Sequence, residues 1–209
     1  MSKFIITLSR EFGSNGRLIG QMLADKLGIK YYDKELIRLA SEQSGINEKF
    51  FNLADEKISG KFNLFKKNKT YKGNVLPPQD DAYLSSENLF SLQAEVIKTL
   101  ADKESCVIVG RCADYILKDY KNVINVFCYA TNSVLYNNIA GRYGISLQEA
   151  EKLTEKTNKS RSEYHKVYTN TNWYDTKNYT LCINCGEIDP EESVLLIEEV
   201  LKSKLSENK

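Results

Sequence analysis

The fold of this chain is decided by a stretch near its start, Ile5-Ile-Thr-Leu-Ser-Arg-Glu-Phe-Gly-Ser-Asn-Gly-Arg17. Apolar and β-branched residues between Lys3 and Leu8 predict a short strand, and Ser9 to Gly16 form a loop rich in small residues. Beyond the loop, apolar residues recur at helical spacing, at Leu18, Ile19, Met22, Leu23 and Leu27. The stretch therefore predicts a strand, a small-residue loop and a helix in direct succession.

The loop itself has the features of an anion site. Gly13-Ser-Asn-Gly16-Arg17 lies at the start of the predicted helix, where unpaired N–H groups and the positive end of the helix dipole favour a phosphate. Its match to the phosphate-loop pattern G-x-x-x-x-G-K-[ST] is partial. Glu11 stands in place of the first glycine, Arg17 in place of the lysine and Leu18 in place of the hydroxyl residue. Taken alone, the loop fits an ordinary turn as well as a phosphate site.

The rest of the chain continues the alternation of strands and helices. Further strands are predicted over 29–32, 105–110, 122–129 and 179–184. Further helices are predicted from Asp33, over 86–102, over 131–142, from a capping box at Ser146 to His165, and from Pro190. This pattern indicates an α/β fold with a mainly parallel sheet, whose ligands bind beyond the carboxyl ends of the strands.

Composition excludes several classes of protein. The chain has 209 residues, of which 42% are hydrophobic and 27% charged, which is typical of one globular domain. Lys+Arg 29 against Asp+Glu 28 leave a net charge of +1, so no overall field attracts nucleic acid or a membrane surface. No apolar run approaches the ~20 residues that span a bilayer. We therefore expect a soluble, cytoplasmic protein with no nucleic-acid or membrane partner.

Cysteine usage agrees with this expectation. The chain has five Cys, mostly inside apolar strand-like runs, where they are interpreted as small core residues of a reducing compartment. Cys182 and Cys185 have C-x-x-C spacing, but a zinc site would need two more ligands and His165 is the only histidine. We expect no protein-held metal site.

Three further segments follow predicted strands or helices and could carry chemistry. Gly110 and Arg111 follow the third strand, on the sheet edge that also holds Arg17. Asp33 and Arg38 follow the second strand, although Asp33 could be a helix cap and Arg38 a solvated helix residue. The long helix carries Lys156, Lys159, Arg161, His165 and Lys166, which form either a solvated face or a lid that closes over phosphates. The aromatic residues after it could instead stack on single-stranded nucleic acid, which the neutral net charge disfavours.

The segment from Lys57 to Asp81 breaks the alternation. It is rich in lysine and contains Gly73, Pro77 and Pro78. We interpret it as a solvated surface excursion, with a basic docking patch as the alternative.

Four blocks of sequence resemble the cytidylate kinase-like family, which is related to the bacterial cytidylate kinases among the P-loop nucleoside monophosphate kinases. The blocks lie in the family's order and cover about residue 3 to residue 200. They are the opening stretch up to Ile19-Gly20, Gly28-Ile-Lys-Tyr-Tyr-Asp-Lys-Glu-Leu-Ile37, Val107-Ile-Val-Gly-Arg-Cys-Ala-Asp114, and Trp173-x-Asp175 with Asn178-Tyr179-x-Leu-Cys-Ile-Asn184.

The resemblance implies a three-layer P-loop NTPase fold with a five-stranded parallel sheet in a single domain, residues 1–209. The core would comprise about 1–45, 86–145 and 176–209. A nucleoside-monophosphate-binding insert would occupy about 46–85 and a helical lid about 146–175. The implied activity is transfer of the ATP γ-phosphoryl group to a nucleotide, with CMP or dCMP as the first expectation.

The resemblance also assigns residues to roles. The ATP phosphates would be bound by Gly13, Ser14, Asn15, Gly16 and Arg17. The acceptor nucleotide would be faced by Asp33, Arg38, Gly110, Arg111 and Asp114. From the lid, Arg142, Lys159 and Arg161 would clamp phosphates, and the catalytic cations would be Arg17, Arg111 and Arg161.

The chain departs from the family's pattern where a metal would bind. Leu18 stands at the position of the loop's hydroxyl residue, and Val109, at the end of the third strand, is not acidic. Asn158 stands where many relatives would have an acidic residue. Mg²⁺ would then be held mainly by phosphates and water, which this ion tolerates. Two alternatives stay open: a nucleotide-binding regulatory module without catalysis, and a kinase of another small acceptor.

Overall fold

The computed structural model describes residues 3–58 and 70–207. Five parallel strands form one sheet in the order β2-β3-β1-β4-β5, which confirms the predicted fold class. The strands are β1 (Ile5–Arg10), β2 (Lys30–Tyr32), β3 (Cys106–Val109), β4 (Val123–Tyr129) and β5 (Leu181–Asn184). Because β1 lies at the centre between β3 and β4, its carboxyl end opens into the middle of the ligand-facing edge.

The α-helices of the described residues are α1 (Gly16–Leu27), α2 (Glu35–Ser44), α3 (Glu48–Ile58), α4 (Ser86–Lys103), α5 (Ala113–Ile116), α6 (Asn132–Tyr143), α7 (Leu147–Thr169) and α8 (Pro190–Glu207). Six of them lie close to predicted helices, whereas α3 and α5 were not predicted from the sequence. The Ser146 hydroxyl and the Glu149 side chain form the predicted capping box of α7. The expectation that Asp33 caps α2 is wrong, because Lys34 holds the cap position and no side chain bonds there.

Alternation along the strands divides the core into two apolar layers. Ile6 and Leu8 of β1 pack with α1 and α8, whereas Ile5 faces the opposite layer. That opposite layer contains Cys106 and Ile108 of β3 and the buried faces of α2, α3 and α4. Because successive side chains of a strand point to opposite faces, a sheet covered on both sides needs nearly continuous apolar strands. The result is a helix–sheet–helix sandwich of three layers.

The predicted insert and lid have different surroundings. Most side chains of 72–81 are exposed, while residues 59–69 of the predicted lysine-rich excursion lie outside the described residues. Helix α7, in the predicted lid, packs against α6 and α3 and buries Asn158, His165 and Tyr168. No helix in the described part of the chain is both long and apolar enough to span a membrane. The boundaries between core, insert and lid stay predictions.

Candidate active site

The loop after β1 is pressed against α6 on one side. Gly13 has φ +97°, and a Cβ atom there would lie 2.6 Å from the Leu135 carbonyl oxygen. The Asn138 side-chain amide donates a hydrogen bond to the Gly13 carbonyl oxygen at 2.8 Å. Asn15, the residue before α1, is left-handed with φ 61°, and its Oδ1 accepts from Arg142 at 2.8 Å. The first-turn N–H groups of α1, which have no acceptors within the helix, follow directly.

Three further contacts hold the same loop from within and from α7. The Ser14 hydroxyl donates to the Glu11 carbonyl oxygen at 2.9 Å. The Asn158 amide oxygen of α7 accepts the Phe12 N–H at 2.7 Å. The Glu11 carboxylate accepts the Ala130 N–H at 3.2 Å, and burial raises the pKa of this carboxyl group. The loop is therefore fixed in one conformation by neighbours distant in sequence.

A second turn, after β3, has an unusual backbone. Gly110, Arg111 and Cys112 have φ values of 77°, 56° and 54°, which are left-handed for all three. The left-handed conformation costs an ordinary residue about 1–2 kcal/mol, and such strain concentrates at functional sites. A Cβ atom at Gly110 would meet the end of the Arg10 side chain, so a larger residue there would require the Arg10 guanidinium to shift. The turn brings Arg111 to the carboxyl edge of the sheet beside β1.

The end of β1, the turn after β3 and helices α3 and α7 line a pocket of about 300 Å³. Three arginines line it: Arg10 at the end of β1, Arg111 after β3 and Arg161 on α7. The lining further includes Ser9, Asp55, Gly110, Cys112, Ser160, Tyr164, His165 and Trp173. The pocket lies at the edge where parallel α/β sheets bind ligands.

Each pocket arginine is held by partners of its own. Arg111 pairs with Asp55 of α3, and its guanidinium lies 5.7 Å from the centre of the Tyr164 ring. Arg161 donates to the Arg10 carbonyl oxygen at 2.8 Å. Arg10 itself pairs with Asp33 at 3.5 Å, and it shares this carboxylate with Arg17, which lies closer at 2.6 Å. The charges of Arg10 and Arg161 are therefore less completely neutralised than that of Arg111.

The electrostatics of the pocket favour an anion. Burial lowers the pKa of Arg10, although Asp33 partly opposes this effect. Burial, followed by the charges of Arg10 and Arg17, lowers the pKa of Arg161. A lowered pKa means that burial and the neighbouring guanidinium groups disfavour these positive charges. A phosphate or another anion bound between them would remove that cost.

Behind the pocket, Asp114 and His165 form a buried pair. The His165 Nε2 and Asp114 Oδ2 atoms are 3.0 Å apart, and both side chains are 4% exposed. The other ring nitrogen of His165 is 3.2 Å from the Thr169 hydroxyl, which also donates to the His165 carbonyl oxygen. Both ring nitrogens are therefore engaged within the protein. His165 lines the pocket wall, whereas Asp114 lies behind it.

The residues singled out from the sequence lie in three environments. Arg111, Gly110 and Arg161 line the pocket. Arg17 is 51% exposed and pairs through Nε with Asp33 at 2.6 Å. The remaining three predicted cations lie outside the pocket lining within the described residues. Arg38 pairs with Glu42 on the exposed side of α2, and the Lys159 side chain is 77% exposed. Arg142 donates to the Asn15 side chain in the loop after β1.

The sequence analysis missed two charged residues of the pocket, Arg10 and Asp55. Arg10 lies inside the quoted opening stretch, and its place as the last residue before the loop was the signal that could have found it. Asp55 belongs to an unremarkable helix far from Arg111 in sequence, and no local pattern marks it. The contacts of Arg10 and Asp55 with other site residues can be seen only in the tertiary structure.

The residues near the loop do not fit a metal ion held by the protein. Leu18 is apolar and 47% exposed, and Val109 is apolar and buried. Asp33, which approaches the loop, is paired with two arginines. Across residues 3–58 and 70–207, no three His, Cys, Asp or Glu side chains are grouped so that they could hold a metal.

Comparison with known proteins gives one family and a set of solved structures. The family model described as the cytidylate kinase-like family matches residues 5–187. No curated protein matches the chain.

Two of the solved structures illustrate the likeness. An uncharacterized protein from Eubacterium ventriosum is 27% identical with a TM-score of 0.69, and the match covers 96% of this chain and 99% of that one. The shikimate kinase from Bacteroides thetaiotaomicron is 15% identical with a TM-score of 0.54, over 96% of this chain and 99% of the other. The fold is that of the P-loop kinases.

Proposed function

The chain belongs to the cytidylate kinase-like family, and from this premise we propose that it transfers the γ-phosphoryl group of ATP to a nucleoside monophosphate. CMP and dCMP are the first candidates for the acceptor. The observation that carries the proposal is the convergence of Arg10, Arg111 and Arg161 in one pocket directly beside the loop that precedes α1. Phosphoryl transfer needs such positive charge, because the reacting oxygens carry negative charge throughout the reaction.

In the proposed reaction, a phosphate oxygen of the acceptor attacks the γ-phosphorus of ATP. The bond from that phosphorus to the bridging β-phosphate oxygen breaks, and ADP leaves with the electron pair of that bond. The N–H groups at the start of α1 bind donor phosphates, while Arg111 and Arg161 orient the acceptor phosphate. Catalysis then consists of positioning and charge neutralisation, without a covalent enzyme intermediate.

A second candidate function is nucleotide binding without catalysis. The apolar Leu18 and the pairing of Asp33 with two arginines favour it, because neither residue offers a ligand to a metal bound with ATP. Similarity of fold does not distinguish the two candidate functions, since one fold can host either of them. Measurements of turnover do distinguish them.

The test is ADP release from ATP and Mg²⁺ in the presence of CMP, dCMP, UMP, AMP or GMP. Arg111→Lys keeps a partner for Asp55 but loses the planar two-pronged geometry, so we expect turnover to fall about 100-fold. Lys202→Ala, on the exposed side of α8, serves as the control and should match the wild type.

Acceptor-dependent ADP release that falls in Arg111→Lys and not in Lys202→Ala would support the kinase and name its acceptor. If no acceptor increases ADP release while calorimetry detects binding of ATP or CMP, the binding module replaces the kinase. If neither nucleotide binds, both candidate functions are wrong.

A further inference from the structure

The arginine at the usual position of the phosphate-loop lysine does not line the pocket. In phosphate loops the residue after the last glycine reaches the β- and γ-phosphates. Here that residue is Arg17, whose Nε bonds Asp33 Oδ2 at 2.6 Å while half of the side chain is exposed. Within the described residues it is absent from the pocket lining. The Arg17 side chain therefore extends from α1 towards Asp33, the residue that follows β2.

A different arginine, Arg10, does line the pocket. Arg10 is the last residue of β1, directly before the loop, and its side chain is 14% exposed and lines the pocket. Its guanidinium lies over Gly110, at the start of the turn that carries Arg111. Arg10 thus lies between the donor loop and the proposed acceptor side of the pocket.

The contacts of Arg10 orient it without satisfying its charge. Its nearest carboxylate oxygen, Asp33 Oδ1, is 3.5 Å away, whereas the other oxygen of Asp33 is bonded to Arg17. The backbone carbonyl of Arg10 is held by Arg161. The Arg10 guanidinium has five N–H donors and one acidic partner, at 3.5 Å, so it can donate further hydrogen bonds to an anion.

From this arrangement we propose that Arg10, rather than Arg17, binds the phosphoryl group that is to be transferred. Arg17 then acts as a positioning residue, because it holds Asp33 and so sets the place of the Arg10 guanidinium. The assignment of a phosphoryl ligand rests on the proposed function; the chemical class of the ligand is a polyphosphate chain.

Calorimetry with inorganic tripolyphosphate tests the assignment without any turnover. A hydrogen-bonded charge contributes about 1.5–3 kcal/mol, so Arg10→Met should weaken binding roughly 10- to 150-fold. Arg17→Met should weaken it less than about 5-fold, within the range of an indirect effect on an exposed ion pair. Arg10→Lys should fall between them, since lysine keeps the charge but lacks the planar fork. Lys202→Ala is the control for loss of a surface cation.

A second measurement uses the wild-type protein and does not depend on whether a variant folds. An arginine-selective dicarbonyl reagent is applied with and without tripolyphosphate, and modified residues are located by mass spectrometry. We expect tripolyphosphate to protect Arg10 and to leave the rate at Arg17 unchanged.

The outcomes separate this inference from the proposed function. Stronger loss of binding in Arg17→Met than in Arg10→Met, protection of Arg17 alone, or failure of the wild type to bind tripolyphosphate would each overturn the inference. Kinase turnover could still be present in the first two cases. Binding through Arg10 with no turnover on any acceptor would support Arg10 as the ligand of a polyphosphate chain, but it would reject the kinase and with it the role in phosphoryl transfer.

Discussion

Gly13 and Gly28 both have positive φ, but only Gly13 lacks space for a side chain. At Gly13, φ is +97° and the position of a Cβ atom is 2.6 Å from the Leu135 carbonyl oxygen and 3.2 Å from the Ile139 side chain. At Gly28, which ends α1 with φ +63°, no atom lies within 4 Å of that position. A substitution at Gly28 therefore measures the cost of backbone strain alone, whereas a substitution at Gly13 adds the cost of a steric clash.

We expect Gly13→Ala to destabilise the protein by about 3 kcal/mol, because strain and overpacking against backbone add together. Gly28→Ala should cost only about 1 kcal/mol, the strain of the left-handed conformation alone. Urea unfolding of both variants measures the difference. Equal losses of stability would mean that α6 yields easily and does not confine the loop.

At the scale of one element, α7, which lies in the predicted lid, contacts the loop, the end of β1 and the pocket wall through three side chains. Asn158, Arg161 and His165 are three and four residues apart, so they occupy one face of the helix. Through them the helix contacts the Phe12 N–H, the Arg10 carbonyl oxygen and the Asp114 carboxylate. A single rigid helix thereby determines the positions of the loop, of Arg10 and of the pocket wall.

Asn158→Ala should lower the free energy of unfolding by about 1–3 kcal/mol, because it leaves the Phe12 N–H without its acceptor. Asn158→Asp keeps an acceptor oxygen at the same place and should lose less. Denaturant unfolding gives both values, and amide hydrogen exchange at Phe12 shows whether the loss is local. Faster exchange at Phe12 is expected in the alanine variant only. Alanine and aspartate variants of equal stability would contradict this role for the Asn158 oxygen.

At the scale of the whole molecule, ion pairs join parts of the chain that are far apart in sequence. Asp55 on α3 meets Arg111 after β3, and the two side chains are 25% and 22% exposed. Arg10 and Arg17 meet Asp33 after β2 in a similar way. The pair of Asp55 and Arg111 connects α3, in the predicted insert, with the carboxyl edge of the sheet. A shift of α3 would therefore change how far the charge of Arg111 is neutralised.

A double-mutant cycle with Asp55→Asn and Arg111→Met measures this connection. Since the pair is largely shielded from water, we expect a coupling free energy of about 1–3 kcal/mol in urea unfolding. The same cycle for Arg38 and Glu42, an exposed pair four residues apart on α2, should give less than about 0.5 kcal/mol. A coupling at Asp55 and Arg111 no larger than that of the α2 pair would mean that α3 is not held by this contact.

Most of the architecture follows from local sequence patterns. The apolar strand runs, the helical periodicity after Gly16, the Ser146 capping box and the glycine after α1 each predict an element that the structure contains. Such patterns are local, because the spacing of apolar side chains and the capping of helix ends involve residues close together in the chain. The family resemblance carried by the opening stretch is likewise confirmed.

The candidate site was predictable only in part. Arg111 and Arg161 were found because their neighbours in sequence mark a strand end and a cationic helix, and both line the pocket. Arg17 and Asp33 were placed in separate roles, yet they are paired with each other. Arg38 matched a pattern but lies beside Glu42 on the exposed side of α2. The spacing of apolar residues in α2 predicts which face of the helix is buried. It does not predict which of the exposed polar residues lie near the pocket.

The five strands, six of the helices, the family and a cationic edge of the sheet are therefore predictable from the sequence, because each is encoded by neighbouring residues. The tertiary structure is needed to show which cations share the pocket, which are bound to Asp33 and Asp55, and that Arg10 lies over Gly110. Pairing and burial of charge depend on distances between residues that are up to 151 positions apart, and no local spacing encodes those distances.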